Sequence, residues 1–124
     1  MNLVDSSAWL EYFADGPNAG VFGPAILDTR NLLVPTVCLL EVFRRVLQQR
    51  DESAALSAVA QMQQGRVIEL DSSIALEAAR LGLRLKLPLA DSVILATARA
   101  HEATIWTQDA DFARVRGAKY IPKK

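Results

Sequence analysis

Short apolar segments alternate along the chain with longer segments that carry apolar residues on one side only. Short apolar runs bounded by turn-forming residues are typical of buried strands. The sequence predicts strands at Asn2–Val4, Leu32–Pro35, Val67–Leu70, Thr104–Thr107 and Lys119–Ile121.

The longer segments repeat apolar residues three and four positions apart, which is the period of a helix packed on a core. They predict helices at Ser6–Ala14, Asn18–Thr29, Thr36–Arg50, Asp51–Gln64, Asp71–Lys86 and Ala90–Glu102, with a single turn at Asp109–Ala113. We expect Thr36 to cap the third helix, Gly65 to close the fourth and Asp71 to cap the fifth.

Apolar strands that alternate with helices predict a parallel sheet covered on both faces. We therefore expect a three-layer α/β/α fold with a mainly parallel sheet of about five short strands, formed as one domain by residues 1–124. Ligands of such sheets bind beyond the carboxyl ends of the strands, where the loops diverge. That edge is where we look for chemistry.

Composition removes several classes of site. The chain has 124 residues, 51% of them hydrophobic, with a single cysteine and a single histidine. An internal disulfide, a cysteine cage for zinc and a zinc site with several histidines are therefore excluded. The amino-terminal segment has no basic region before an acid at position 5, so we expect no secretory signal and a cytoplasmic protein. No apolar run is long enough to span a membrane.

The 14 acidic and 14 basic residues give a net charge of zero, which argues against a general nucleic-acid coat. The sum hides a possible partition, because acids gathered around a metal would leave an excess of basic residues elsewhere. Five acids stand at strand ends or helix starts, where this fold places ligands. They are Asp5 after the first strand, Glu41 and Asp91 in early helical turns, and Asp109 and Asp111 after the fourth strand.

Each acid also has an ordinary structural explanation. Glu41 precedes Arg45 by one helical turn, and a solvated ion pair is the usual outcome of that spacing. The others are explained as helix caps, as first-turn acids favoured by the helix dipole, or as turn formers. For Asp71 we accept that explanation and expect only a helix cap.

The sequence around the acids is more distinctive than any acid alone. Four blocks, in this order and spacing, resemble the PIN-domain ribonucleases, specifically the VapC-type toxins of toxin–antitoxin pairs. The blocks are Leu3–Leu10, Leu39–Val42, Leu87–Ala98 and Thr107–Phe112. The resemblance covers essentially the whole chain, although the segment from Asp15 to Arg30 carries no diagnostic motif.

The resemblance implies a metal-dependent endoribonuclease whose catalytic acidic quartet falls on Asp5, Glu41, Asp91 and Asp109. It implies metal ligands at Asp5, Asp91, Asp109 and Asp111, with hydroxyl groups of Ser7 and Thr107 lining the site. It also implies a cognate antitoxin as partner, an RNA substrate, and a homodimer that can enter a larger toxin–antitoxin assembly.

The residue types themselves favour a particular ion. Carboxylates without histidine or thiolate ligands suit the hard cations Mg²⁺ or Mn²⁺. Because RNA must approach an acidic site, basic residues are expected beside it, and Arg44, Arg45 and Arg99 are candidates for RNA binding. For each of them a solvated surface charge is the ordinary alternative.

Two other functions share the α/β class. A receiver-like phosphate-signalling domain would use Mg²⁺ and an aspartate at the end of a central strand, and Val67–Leu70 does run into Asp71. It would also need a lysine after the strand Thr104–Thr107, where none stands. A phosphohydrolase with an aspartyl nucleophile would need a second aspartate two residues after Asp5, and Ser7 occupies that position.

Overall fold

The computed structural model describes residues 1–124 and contains one sheet of five strands. The strands are β1 (Asn2–Val4), β2 (Leu32–Pro35), β3 (Arg66–Ile68), β4 (Thr104–Thr107) and β5 (Ala118–Tyr120). The helices are α1 (Ser6–Phe13), α2 (Ala19–Leu27), α3 (Thr36–Gln49), α4 (Glu52–Met62), α5 (Ser72–Leu85) and α6 (Leu89–Ala100). Short 3₁₀ helices occur at Thr29–Asn31 and Ala110–Phe112.

The spatial order of the strands is β3-β2-β1-β4-β5, and every neighbouring pair is parallel. β1 is central, because Leu3 pairs with Leu33 of β2 on one side and with Ile105 of β4 on the other. The chain moves from β1 to β3 in one direction and then crosses back to β4 on the other side of β1. Right-handed crossovers in opposite directions place helices on opposite faces of a sheet. The α/β fold expected from the sequence is thereby confirmed.

This reversal of direction creates a topological switch point between β1 and β4. The loops that follow these two strands leave toward opposite faces, so a crevice opens beyond their carboxyl ends. Asp5 follows β1 directly, and Asp109 follows β4 after one intervening residue. The fold thus brings together two acids that are 104 positions apart in sequence.

A core of 24 buried apolar residues holds the sheet and helices together. Leu3 and Val4 of β1 are fully buried, as are Leu33 and Val34 of β2. Trp9 of α1 is also fully buried and stacks on Phe13 at 5.5 Å between ring centroids. The strand ends that carry the acids are therefore fixed by packing on both sides of β1.

The bounds of β1, β2 and β4 agree with those predicted from the sequence, and the two edge strands shift by one or two residues. Two expected helix ends were wrong. Thr36 is the first residue of α3, whose N-cap is Pro35 with no side-chain hydrogen bond. Gln63 is the C-cap of α4, and Gly65 does not adopt a left-handed conformation. Gly65 instead packs so closely that a Cβ there would lie 3.0 Å from Leu32, which explains the glycine.

The helices of this fold are short. The longest, α3 and α5, have 14 residues each, and none of the six is long and apolar enough to cross a membrane.

Candidate active site

Asp5 is held at the end of β1 by three hydrogen bonds. Its Oδ1 accepts from the backbone N–H of Ala8 at 3.0 Å and from the hydroxyl of Ser7 at 2.7 Å. Its Oδ2 accepts from the hydroxyl of Thr107, at the end of β4, at 2.5 Å. Asp5 is the N-cap of α1, as its ordinary explanation has it. The contact with β4 goes beyond a cap and fixes the carboxylate at the switch point.

The environment of Asp5 disfavours its negative charge. Burial raises the pKa of Asp5 from 3.8 to about 6, although the hydrogen bonds from Thr107, Ser7 and Ala8 pull it down. The nearby negative charge of Asp109 raises this pKa further. A cation beside Asp5 would relieve both effects.

Three other acids, one from α6 and two from the segment that follows β4, form a close group. One carboxylate oxygen from each of Asp91, Asp109 and Asp111 can be chosen so that all three lie within 4.8 Å of one another. Asp91 comes from the first turn of α6 and is buried. Asp109 caps the following 3₁₀ helix, because its Oδ1 accepts from the backbone N–H of Asp111 at 2.9 Å.

The close group carries unfavourable like charge. Burial raises the pKa of Asp91 from 3.8 to about 8, and the charges of Asp109, Asp111 and Asp5 contribute in the same direction. Three carboxylate oxygens at this spacing, with no histidine or cysteine among them, fit a hard divalent cation. The donor set therefore suits Mg²⁺ or Mn²⁺, with Asp91, Asp109 and Asp111 as the residues that would hold the ion.

Glu41 does not form the ion pair that its spacing suggested. Its Oε1 accepts from the hydroxyl of Ser6 at 2.7 Å, whereas the only salt bridge in the structure joins Arg80 to Glu77. The expected pairing of Glu41 with Arg45 is therefore wrong. The start of α1 offers a closer partner, so Ser6 ties the Glu41 side chain of α3 to the end of β1.

Asp5, Glu41, Asp91 and Asp109 line a single open cleft of about 550 Å³. Fourteen residues surround it, and the ones with acidic or hydroxyl side chains are Asp5, Ser6, Ser7, Glu11, Glu41, Asp91 and Asp109. We call this space the acidic cleft. Asp111 is exposed and does not line the cleft, although it belongs to the close group with Asp91 and Asp109.

The basic candidates are divided. Arg45 lines the acidic cleft, whereas Arg44 does not. Arg99 stands in the last turn of α6, far along the helix from Asp91, and lines a separate groove with Glu77 and Arg80. The structure therefore brings Arg45 to the acids and leaves Arg99 apart from them.

The hydroxyl of Thr107 has a second bond that orders the loop after β4. It accepts from the backbone N–H of Asp109 at 2.9 Å while it donates to Asp5. The Ser7 hydroxyl accepts from the backbone N–H of Gln108 at 3.1 Å. Both hydroxyl residues predicted from the sequence thus bind the backbone of the loop that carries Asp109.

Sequence reasoning missed several residues around the cleft. Gln108 and Lys123 line it, and Asn18, which is fully buried, donates from Nδ2 to Oε1 of Gln108 at 3.1 Å and to the carbonyl of Pro122 at 2.9 Å. The segment around Asn18 has no diagnostic motif, and its partners are 90 and 104 positions away. Ser6, which binds Glu41, was missed as well, although its position next to Asp5 was a usable signal.

A sequence model of the PIN domain matches residues 3–118 of the chain. The chain belongs to the PIN domain family. Solved structures share the fold of this PIN domain over nearly its whole length. A chain from a toxin–antitoxin complex of Klebsiella pneumoniae superposes with a TM-score of 0.82 and is 22% identical over 100% of both chains.

Two further structures extend this comparison. VapC20 of Mycobacterium tuberculosis, described as a toxin that cleaves the sarcin–ricin loop, has a TM-score of 0.79 and 17% identity over 94% of the PIN domain and 96% of its own chain. FitAcB of Neisseria gonorrhoeae has a TM-score of 0.67 and 25% identity over 98% of both chains. No curated protein matches this PIN domain in sequence.

The family assignment also decides against the receiver-like alternative. Asp71 follows β3, which is an edge strand, and its Oδ1 accepts from the backbone N–H of Ile74 at 2.9 Å. It caps α5 as expected and does not line the acidic cleft.

Proposed function

We propose that this PIN domain is a Mg²⁺- or Mn²⁺-dependent endoribonuclease that acts as the toxin of a toxin–antitoxin pair. The observation that carries the proposal is the close group of Asp91, Asp109 and Asp111, two of which share one cleft with Asp5 at the switch point of the sheet. The fold shared with chains of toxin–antitoxin complexes supports the biological role.

Asp91, Asp109 and Asp111 would hold the ion, with Asp5 beside them. Once bound, Mg²⁺ or Mn²⁺ supplies polarisation of a phosphodiester and a lowered pKa for a water nucleophile. Asp5 contributes negative charge from a fixed position, because both of its oxygens are oriented by hydrogen bonds from the start of α1 and the end of β4.

Glu41 is suited to orient the attacking water. The Ser6 hydroxyl engages Oε1 of Glu41, and Oε2 is left without a hydrogen bond from the protein. That second oxygen accepts a hydrogen bond from a water at the phosphate and can take up its proton. A carboxylate in this role works as a general base in hydrolysis.

The substrate is RNA, and the cations around the cleft hold its phosphates. Arg45 lines the cleft without a carboxylate partner within 4.0 Å, so its guanidinium is free to contact a phosphate in two places. Arg44, the preceding residue of α3, is exposed outside the cleft and would contact RNA only beyond it. The remaining candidate, Arg99, contributes only at a distance from the reacting phosphate.

The partner is a cognate antitoxin that covers the cleft. A partly apolar groove of about 570 Å³ between α1, α3 and α4 adjoins the acidic cleft, with which it shares Leu10, Ala14 and Gln49. An antitoxin segment lying in this groove would reach the acids, where an arginine would pair with the carboxylates. The solved relatives include a VapBC complex bound to promoter DNA.

The toxin assembles as a homodimer that enters a larger complex with its antitoxin, and it acts in the cytoplasm. Strongly exposed leucines on α5 and at the start of α6 support self-association, because association with a second copy would bury apolar surface. They are Leu76, Leu83 and Leu89.

The deciding experiment is a cleavage assay with purified protein and labelled RNA. We expect cleavage with Mg²⁺ or Mn²⁺ and none with EDTA, and we expect Asp91→Asn to abolish it while Asp71→Asn does not. Full activity in EDTA would exclude the metal mechanism. Expression in cells should arrest growth, with relief on co-expression of the antitoxin; normal growth with active protein and no partner would exclude the toxin role but not the nuclease.

A further inference from the structure

The carboxy-terminal segment reaches the acidic cleft, and its path is fixed by the fold. β5 lies beside β4 and runs parallel to it, so both strands end at the edge of the sheet where the acids stand. The pairing continues past β5, because the backbone N–H of Ile121 donates to the carbonyl of Thr107 at 2.8 Å. Pro122 and Lys123 therefore leave the sheet directly beside the site.

Asn18 anchors this segment from the other side. Its side chain is fully buried, and one Nδ2 group donates both to the carbonyl of Pro122 and to the side chain of Gln108. Gln108 in turn donates its backbone N–H to Ser7, whose hydroxyl binds Asp5. A continuous set of hydrogen bonds thus connects the Asp5 carboxylate to the residue that precedes Lys123.

Lys123 is one of two cationic residues that line the acidic cleft, the other being Arg45. Neither has a carboxylate oxygen within 4.0 Å, although the lining includes five acids. Lys123 is thus brought to the cleft by the path of the backbone and not by an ion pair. Lys124, the next residue, is equally exposed and does not line the cleft.

We infer that Lys123 is an RNA phosphate-binding residue of this site, and that Asn18 is the positioning residue that holds it there through Pro122. This inference rests on the proposed function. A phosphate contact made equally in the ground state and the transition state strengthens binding of RNA without accelerating the chemical step. A strand held between Arg45 and Lys123 would be kept over the acids despite their negative charge.

The test is the kinetics of cleavage of a fluorescein-labelled single-stranded oligoribonucleotide with Mg²⁺, at several concentrations of KCl. For Lys123→Ala we expect KM to rise about tenfold with kcat nearly unchanged. The slope of log kcat/KM against log salt should flatten by about 0.7, the value for one phosphate contact on a single strand. Lys123→Arg should restore both, and Lys124→Ala, the matched control, should behave as wild type.

Identical results for Lys123→Ala and Lys124→Ala would overturn the inference while leaving the nuclease intact. A lower KM for Lys123→Ala would also overturn it, because Lys123 would then compete with RNA for the acids. If wild type cleaves no RNA, the proposed function fails instead. In that case, fluorescence anisotropy with the same RNA tests Lys123: Lys123→Ala must weaken RNA binding, and Lys124→Ala must leave it unchanged.

The role of Asn18 is tested by a double-mutant cycle. Asn18→Ala should raise KM as Lys123→Ala does. The double variant should have the same KM as Asn18→Ala alone, because both changes remove the same contact between Lys123 and phosphate. Asn31→Ala, which removes an exposed hydrogen bond from the Asn31 side chain to Asp28, is the control. Thermal unfolding identifies variants that do not fold, in which case Asn18→Ser replaces Asn18→Ala. Fully additive effects would overturn the positioning role.

Discussion

The hydroxyl of Thr107 donates to Oδ2 of Asp5 at 2.5 Å, across 102 positions of sequence. The Thr107 hydroxyl oxygen also accepts a hydrogen bond from the backbone N–H of Asp109 at 2.9 Å. One side chain therefore joins the ends of β1 and β4 and holds two acids of the cleft in register. The pKa of Asp5 would lie higher still without this bond, since it is the strongest of the three that lower it.

Replacing Thr107 by Val keeps the shape and removes both bonds. We expect a loss of about 1–3 kcal/mol in the free energy of unfolding, because the Asp5 oxygen and the Asp109 N–H lose their partner. Cleavage should fall by about 10- to 100-fold, as for other residues that orient metal-site carboxylates. Denaturant unfolding and the RNA cleavage assay measure the two effects. Thr107→Ser should recover most of both, and Thr104→Val, at the start of β4, should change neither; equal behaviour of the two Val variants would contradict this role.

Asp91→Asn should exchange activity for stability. In EDTA the variant should melt at a higher temperature than wild type, because it removes one charge from a group of mutually repelling carboxylates. Cleavage should fall about 100-fold or more. Differential scanning calorimetry in EDTA and in Mg²⁺ measures this, and Mg²⁺ should stabilise wild type more than the variant.

Asp71→Asn is the matched control for Asp91→Asn, since asparagine caps a helix nearly as well as aspartate. It should alter neither the melting temperature nor cleavage. A destabilised Asp91→Asn with an unchanged response to Mg²⁺ would show that the acids do not act as one group. Asp5→Asn should gain less stability than Asp91→Asn, because both Asp5 oxygens accept hydrogen bonds that an amide nitrogen cannot accept.

The metal-free protein should lose stability as the pH rises from about 4 to about 8. The pKa values of Asp5 and Asp91 are higher in the folded chain, at about 6 and about 8, than their ordinary 3.8. The folded state then binds more protons than the unfolded state, so the free energy of unfolding decreases with pH across this window.

Urea unfolding in EDTA at a series of pH values measures this slope. Its upper part, between about pH 6 and 8, should be shallower in Asp91→Asn, and saturating Mg²⁺ should flatten the whole profile. Stability that rises over this window in wild type and in the variant alike would contradict the raised pKa values.

Glu41→Gln separates a chemical role from a structural one. The amide oxygen can still accept the Ser6 hydrogen bond, and no ion pair is lost, so unfolding should change by less than about 0.5 kcal/mol. Cleavage should fall sharply, because an amide cannot take up a proton from water. Unchanged cleavage by Glu41→Gln would remove Glu41 from the mechanism.

Arg45→Ala should raise KM for RNA, whereas Arg99→Ala, in its separate groove, should not.

The sequence predicted most of the sheet because the pattern there is local. β1, β2 and β4 are short apolar runs with clear bounds, and Asp5 and Asp109 follow the ends of β1 and β4 within two residues. Glu41 was harder, because an i, i+4 spacing describes a possible partner on the same helix and says nothing of Ser6 on another element. The strand order of the sheet brings Ser6 of α1 next to Glu41 of α3, and the apolar periodicity of the sequence does not reveal that order.

The contacts of Asn18 lay beyond sequence reasoning for a similar reason. The sequence predicts Asn18 only as the start of a helix, and the folded chain alone shows that it is fully buried, with hydrogen bonds to Gln108 and Pro122. Arg99 illustrates the converse. It shares a helix with Asp91, yet the length of α6 carries it away from the cleft.

The placement of the cleft between β1 and β4 has a consequence for the synthesis of the protein. A chain is synthesised from its amino terminus, so Asp5 is made 86 residues before Asp91 and 106 residues before Asp111. No nascent fragment that ends before Asp111 contains the complete acidic group. The proposed nuclease would therefore have no complete acidic site until translation of the domain is nearly finished.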